Sequence, residues 1–162
     1  MRKKKIKKHD IPALQNELRG ISAQEMLSWC FEHFDAQKIA IASSLGGEDQ
    51  VLTDMAVHID PEVNIFTLDT GRLFQETYDV LERTMQKYRI SIQVLFPDSQ
   101  AVEQMVSEHG PNLFYYSVEN RKYCCNVRKV EPLKRRLATL DGWICGLRRN
   151  QSITRNDLQV IE

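Results

Sequence analysis

The sequence predicts an α/β fold with a mainly parallel sheet, and three observations carry that expectation. Short apolar, β-leaning runs alternate with amphipathic helical stretches along most of the chain. Polar, glycine-bearing segments follow the runs ending at Ala42, Leu68 and Cys145. The chain has 162 residues with 42% hydrophobic content, enough for one ordinary domain with its own core.

The chain starts "MRKKKIKKHD", and the polar "IPALQNELRG" that follows is interrupted by Pro12. A secretory leader would continue with an apolar core, so the basic run reads as a solvated tail. Ser22 with Glu25 forms a capping box, after which Met26, Leu27, Cys30, Phe31 and Phe34 recur at helical spacing. Cys30 lies on this apolar stripe and reads as a small buried hydrophobe. Residues 1–37 are thus expected to form a basic tail and one helix, and residues 38–162 the principal domain.

Ile39–Ala42 reads as a buried strand, Ser43–Gly47 as a flexible polar turn, and Val51, Leu52, Met55, Ala56 and Ile59 as one helix face. A strand, a glycine loop and a helix start in that order make an anion site, because the first helical N–H groups lack partners and the helix dipole favours negative charge there. The pattern repeats. "NIFTLDT" is a strand, "LFQETYDVLERTMQKY" a helix, "SIQVLF" a strand, and "AVEQMVSEHG" a helix stopped by Gly110. Pro132 suits a helix's first turn, "WICGL" is a fourth strand, and "DLQVIE" has the look of a further one.

Lys+Arg and Asp+Glu balance at 22 each, which gives no reason to expect a nucleic-acid partner. No run approaches the ~20 apolar residues of a membrane span. A soluble, cytoplasmic protein would keep its four cysteines as thiols or ligands. His9, His33, His58 and His109 have no metal-site spacing. Three segments then stand where a parallel sheet binds ligands: "SSLGGEDQ", "LDTGRLFQETY" and "GLRRNQSITR". Gly46 and Gly47 offer backbone donors, Ser43 and Ser44 hydroxyls, and Arg148, Arg149 and Arg155 planar forks for phosphate or sulfate. Each segment also has a plainer reading, as a simple turn or a solvated face. Asp69 and Arg72, flanking Gly71, would then be a local ion pair. Cys124 and Cys125 lie among Arg121, Lys122, Arg128 and Lys129, a setting for reactive or metal-binding thiolates. A tetrahedral or iron–sulfur site needs four ligands, and the pair supplies two.

Together, "SSLGGEDQVLTDM", "TLDTGRLFQETY", "KYCCNVRKVEPLKR" and "GLRRNQS.TR", with Ile153 at the dot, resemble the assimilatory adenylyl-sulfate (APS) reductases, relatives of the 3′-phosphoadenylyl-sulfate (PAPS) reductases. The resemblance runs from about Lys38 to the end. It implies a Rossmann-like sheet of the adenine nucleotide alpha hydrolase type, and a reaction taking APS and thioredoxin to sulfite and AMP. In that reaction a cysteine attacks the sulfate sulfur, and thioredoxin releases sulfite from the resulting S-sulfocysteine.

By position, the resemblance puts Ser43, Ser44, Gly46, Gly47, Glu48 and Asp49 at the phosphate, and Leu68, Asp69, Gly71 and Arg72 near the adenosine. Gly146 falls on the far side, Arg148, Arg149 and Arg155 on phosphate and sulfate, and Lys129 between cluster and substrate. Cys124 and Cys125 become half the ligand set of a 4Fe–4S cluster. The other ligands, a Cys-x-x-Cys, and the nucleophile are expected beyond Glu162, so the chain alone is expected to be inactive and to hold no stable cluster. A PAPS reductase and a non-catalytic nucleotide-binding protein are the competing readings. A homo-oligomer is compatible with the resemblance.

Overall fold

Ile39–Ala42 (β1) and Gly142–Cys145 (β4) pair in parallel, Ile39 opposite Gly142 and Ala42 opposite Cys145. Ile65–Leu68 (β2) and Ile92–Leu95 (β3) pair in the same sense, Ile65 opposite Ile92 and Leu68 opposite Leu95. The strand order is β3-β2-β1-β4. These positions come from a computed structural model that describes residues 6–147 and 158–162. The chain divides into two compact units, one of residues 1–64 with 140–162 and one of residues 65–139.

The first unit holds helices α1 (Ile11–Glu17), α2 (Ala23–His33) and α3 (Gly47–Ile59). Pro12 does not break a helix here; it stands in the first turn of α1, where a missing N–H costs nothing. Ser22 caps α2 as its sequence foretells, accepting from the Glu25 N–H, while Glu25 accepts from the Ser22 N–H at 2.7 Å. Leu27, Cys30, Ile39, Ala40, Ile41 and Ala56 are buried in this unit. Burial pushes the Cys30 thiol up to about 11, since a thiolate there would lose its hydration. Gly142 lets β4 start against Phe34: a Cβ on Gly142 would lie 3.0 Å from that ring. Leu158–Glu162 forms no strand, contrary to the expectation from "DLQVIE". The Ile161 carbonyl instead accepts from the Gln15 side chain at 2.7 Å, a side-chain contact that carries no strand ladder.

The second unit holds helices α4 (Gln75–Tyr88), α5 (Ser99–His109), α6 (Val118–Cys125) and α7 (Glu131–Leu137). Asp98 caps α5, accepting from the Ala101 N–H, and Gly110 ends it with φ +80°. Ser117 caps α6, accepting from the Asn120 N–H. A π-helical turn, Asn126–Val130, joins α6 to α7. Pro132, in the first turn of α7, gives that turn a physical cause: a proline ring clashes with the carbonyl four residues earlier, here Arg128, and a wider turn relieves the clash. Ile65, Phe66, Ile92, Leu95, Met105, Leu113 and Val127 are buried here.

Candidate functional site: a nucleotide loop and a cysteine-bearing helix

Ser43–Gly46 leaves the carboxyl end of β1 and enters α3. The turn is held rather than flexible. Ser43 Oγ accepts from the Leu45 N–H at 3.1 Å, and the Asp49 carboxylate accepts from both the Ser44 N–H and its hydroxyl. The left-handed residue is not a glycine but Leu45, at φ 64°, whose side chain is buried. Gly46 is the N-cap of α3, with no side-chain cap bond, and nothing lies within 4 Å of where a Gly47 Cβ would stand. The loop therefore presents the positive end of α3 beside a side-chain-free backbone, a setting that suits close approach of an anion.

Asp49 also reaches the segment after β4. Its second oxygen accepts from the Gly146 N–H at 3.1 Å, and a Cβ on Gly146 would fall well inside contact distance of that oxygen. Asp49 is thus a buried tie between the loop and the strand end, its oxygens turned to the protein. The structure brings Ser44, Asp49 and Gly146 together. Arg148, Arg149 and Arg155 lie outside the described residues.

In the second unit, Asp69–Arg72 leaves the carboxyl end of β2. The Asp69 carboxylate, 3% exposed, accepts from the Gly71 N–H at 2.7 Å. It also accepts from the Tyr78 hydroxyl, a bond that holds that phenol's pKa above its usual range. Gly71 takes φ +70°, which needs glycine. The local Asp69–Arg72 ion pair does not form. Arg72 points to the turn after α5, donating to the Pro111 carbonyl at 2.8 Å and to Asn112 Oδ1 at 3.1 Å, with its guanidinium 4.8 Å from the Phe114 ring centre. The cation that does hold this turn is Arg128, whose Nη1 donates to the Thr70 carbonyl at 2.7 Å. Sequence reading saw Arg128 only as one of several charges around the cysteines. Thr70, Tyr78 and Arg128 join the site by tertiary contact, and no spacing signals them.

Cys124 and Cys125 end α6, where successive residues diverge by about 100°. The helix therefore separates their environments. Cys124 is buried in an apolar cluster with Met105, Leu113 and Val127, while Cys125 and Lys129 are exposed. The pair is expected from its sequence to be exposed to oxidation, and for Cys124 its burial overturns that. Cys30 is buried in α2, and Cys145 is half-buried at the end of β4. Among the described residues, no group of three or more His, Cys, Asp or Glu side chains is placed to hold a metal ion. A cubane cluster needs four ligands, so the vicinal pair supplies half a set. Nor, among the described residues, is any helix long and apolar enough to cross a membrane.

A glycine loop at a strand's carboxyl end, running into a helix without a side-chain cap bond, is an arrangement in which α/β domains commonly accept phosphate. Residues 38–162 match the phosphoadenosine phosphosulfate reductase domain, and the chain belongs to that family. An adenosine 5′-phosphosulfate reductase of Pseudomonas aeruginosa (strain UCBPP-PA14) is 44% identical over 154 residues, which are 94% of this chain and 56% of that protein. Adenosine 5′-phosphosulfate reductase 2 of Bacillus subtilis (strain 168) is 38% identical over 142 residues, 87% of this chain and 58% of that one. The chain thus spans little more than half the length of these relatives. Among solved structures, a PAPS reductase from Candida auris, in a phosphate complex, superposes with a TM-score of 0.76 at 25% identity, covering 97% of this chain and 73% of that one. The fold is accordingly α/β, of the adenine nucleotide alpha hydrolase type.

Proposed function

We propose that this chain carries the nucleotide-binding part of an assimilatory adenylyl-sulfate reductase, a cytoplasmic enzyme of sulfate assimilation and cysteine biosynthesis. The observation that carries the reading is the start of α3 directly after β1, where the N-cap Gly46 has no side-chain cap bond and nothing stands within 4 Å of a Gly47 Cβ position, a setting that suits the phosphate of an adenosine 5′-phosphate group. The relatives' names point to APS as substrate.

In this reading, Ser43, Ser44, Gly46, Gly47 and Glu48 line the phosphate side, and Asp49 fixes the loop's shape. Leu68, Asp69, Gly71, Arg72 and Gly146 are the residues this reading gives to the adenosine. Arg148, Arg149 and Arg155 neutralise phosphate and sulfate. A cysteine thiolate displaces AMP from sulfur, forming S-sulfocysteine; the thioredoxin dithiol then releases sulfite and becomes a disulfide. In this reading that nucleophile is a cysteine beyond Glu162, as the family resemblance implies. Cys124 and Cys125 would contribute two ligands to a 4Fe–4S cluster, with Lys129 beside them. Reduction of PAPS is the second reading, supported by the family model and the Candida auris structure. The vicinal cysteine pair favours APS.

Calorimetric titration with AMP tests the proposal. Wild type should bind, and Arg148→Ala should lose about 1.5–3 kcal/mol, the size of a charged hydrogen bond. Equal affinities would make Arg148 a solvated charge, and no binding by wild type would sink the reading. Displacement of AMP by APS and PAPS in the same cell separates the two substrates.

A further inference from the structure

Arg128 is 8% exposed, its Nε is buried without a hydrogen-bond partner, and among the described residues no carboxylate pairs with it. A buried guanidinium with an orphaned donor and no counter-ion opposes folding, and an apolar side chain of equal length would suit the site better. Among the described residues its one hydrogen bond goes to the Thr70 carbonyl, 58 residues away in sequence. The same Nη1 lies 3.3 Å from where a Gly71 Cβ would stand. Arg128 sits in the π turn that begins directly after Cys125, and Pro132 keeps its carbonyl out of the ordinary α register. At the other end of the bond, Asp69, Thr70, Gly71 and Arg72 are cross-linked through Asp69 Oδ1 and Thr70 Oγ1.

We propose that Arg128 is a positioning residue that ties the cysteine-bearing helix to the Asp69–Arg72 turn, so that a ligand on the turn changes the reactivity of Cys125, and the state of the helix changes the turn. The two directions are one coupling and must be reciprocal. Only the identity of the ligand, an adenine nucleotide, rests on the function proposed above.

Two variants separate the bond from the packing. Arg128→Met keeps the stem and removes the donor, whereas Arg128→Lys keeps one charged donor. In nucleotide-free protein, Arg128→Met should speed hydrogen exchange at the Gly71 and Arg72 amides by about tenfold or more while the α5 amides hold their rate, and Arg128→Lys should restore much of the protection. Iodoacetamide labelling of Cys125, resolved by peptide mass spectrometry, reads the coupling. Saturating AMP should change the wild-type rate severalfold, and the change should vanish in Arg128→Met. Unchanged exchange in Arg128→Met overturns the tie, as does a Cys125 response that is absent in wild type shown by calorimetry to be saturated with AMP, or equal in the AMP-bound variant. Should Arg128→Met not fold, Gly71→Ala perturbs the same contact from the turn side; an unaltered Cys125 labelling rate there overturns the proposal. Failure of wild type to bind AMP counts against the nucleotide reading alone, and the exchange comparison still decides the tie.

Discussion

Asp49 shows what a single residue in a motif does once the chain folds around it. Its oxygens are taken up by Ser44 and by the Gly146 N–H, so it shapes the loop rather than facing a ligand. Gly146→Ala would push a Cβ into that carboxylate. The variant should lose about 1–3 kcal/mol in urea unfolding and bind AMP more weakly, because the strain passes directly to Ser44. Cys30 gives a second test at this scale. Its thiol is pushed up to about 11 in the fold, so it stays protonated where the unfolded chain ionises. Its contribution is complete below about pH 9 and is lost as pH rises toward 11. The loss should total about 2–3 kcal/mol. Denaturant midpoints at pH 8 to 11 should show this slope in wild type and not in Cys30→Ala.

At the scale of elements, capping and periodicity were legible, and distortion was not. Ser22 with Glu25, the apolar runs of β1 to β4 and the stop at Gly110 all stand where local chemistry puts them. The helix through Cys124 and Cys125 was not foreseen, since "VENRKYCC" has almost no apolar stripe and is held by its cap and by Cys124's burial. Nor was the π turn, whose signal is only Pro132 inside a longer helical run. The start of α3 supplies the prediction here. Gly47 has open space at its Cβ position, so Gly47→Ala should raise stability by about 0.5–1 kcal/mol. The added methyl group should also weaken AMP binding if, as proposed, phosphate approaches the backbone there. Thermal unfolding and calorimetry on one preparation check both effects; a gain in both would mean that no ligand approaches there.

For the molecule as a whole, family and fold agree, while the chain spans only 56% of its Pseudomonas relative. The cluster expectation belongs at this scale. Two thiolates cannot supply the four terminal ligands of a cubane, and among the described residues no third ligand gathers with them. Anaerobic reconstitution should therefore leave iron and acid-labile sulfide well below four per chain, with no sulfite released from APS and thioredoxin. Four irons per monomer, or turnover, would prove this expectation wrong and move suspicion to Cys145, against its place in β4.

Local chemistry by itself determined the alternation of strands and helices, the capped starts of α2 and α5, and the glycine loop at the start of α3. These depend on propensity, period and hydrogen bonds between near neighbours, all of which are written along the chain. Tertiary structure alone decided that Asp49 turns to Gly146, that Arg72 leaves Asp69 for Pro111 and Asn112, and that Arg128 reaches Thr70. It also divided Cys124 from Cys125, burying one and exposing the other. Each of these pairings except the last spans tens of residues. A side chain's choice among distant partners is set by which groups the folded backbone leaves buried and unsatisfied, and that has no local signal.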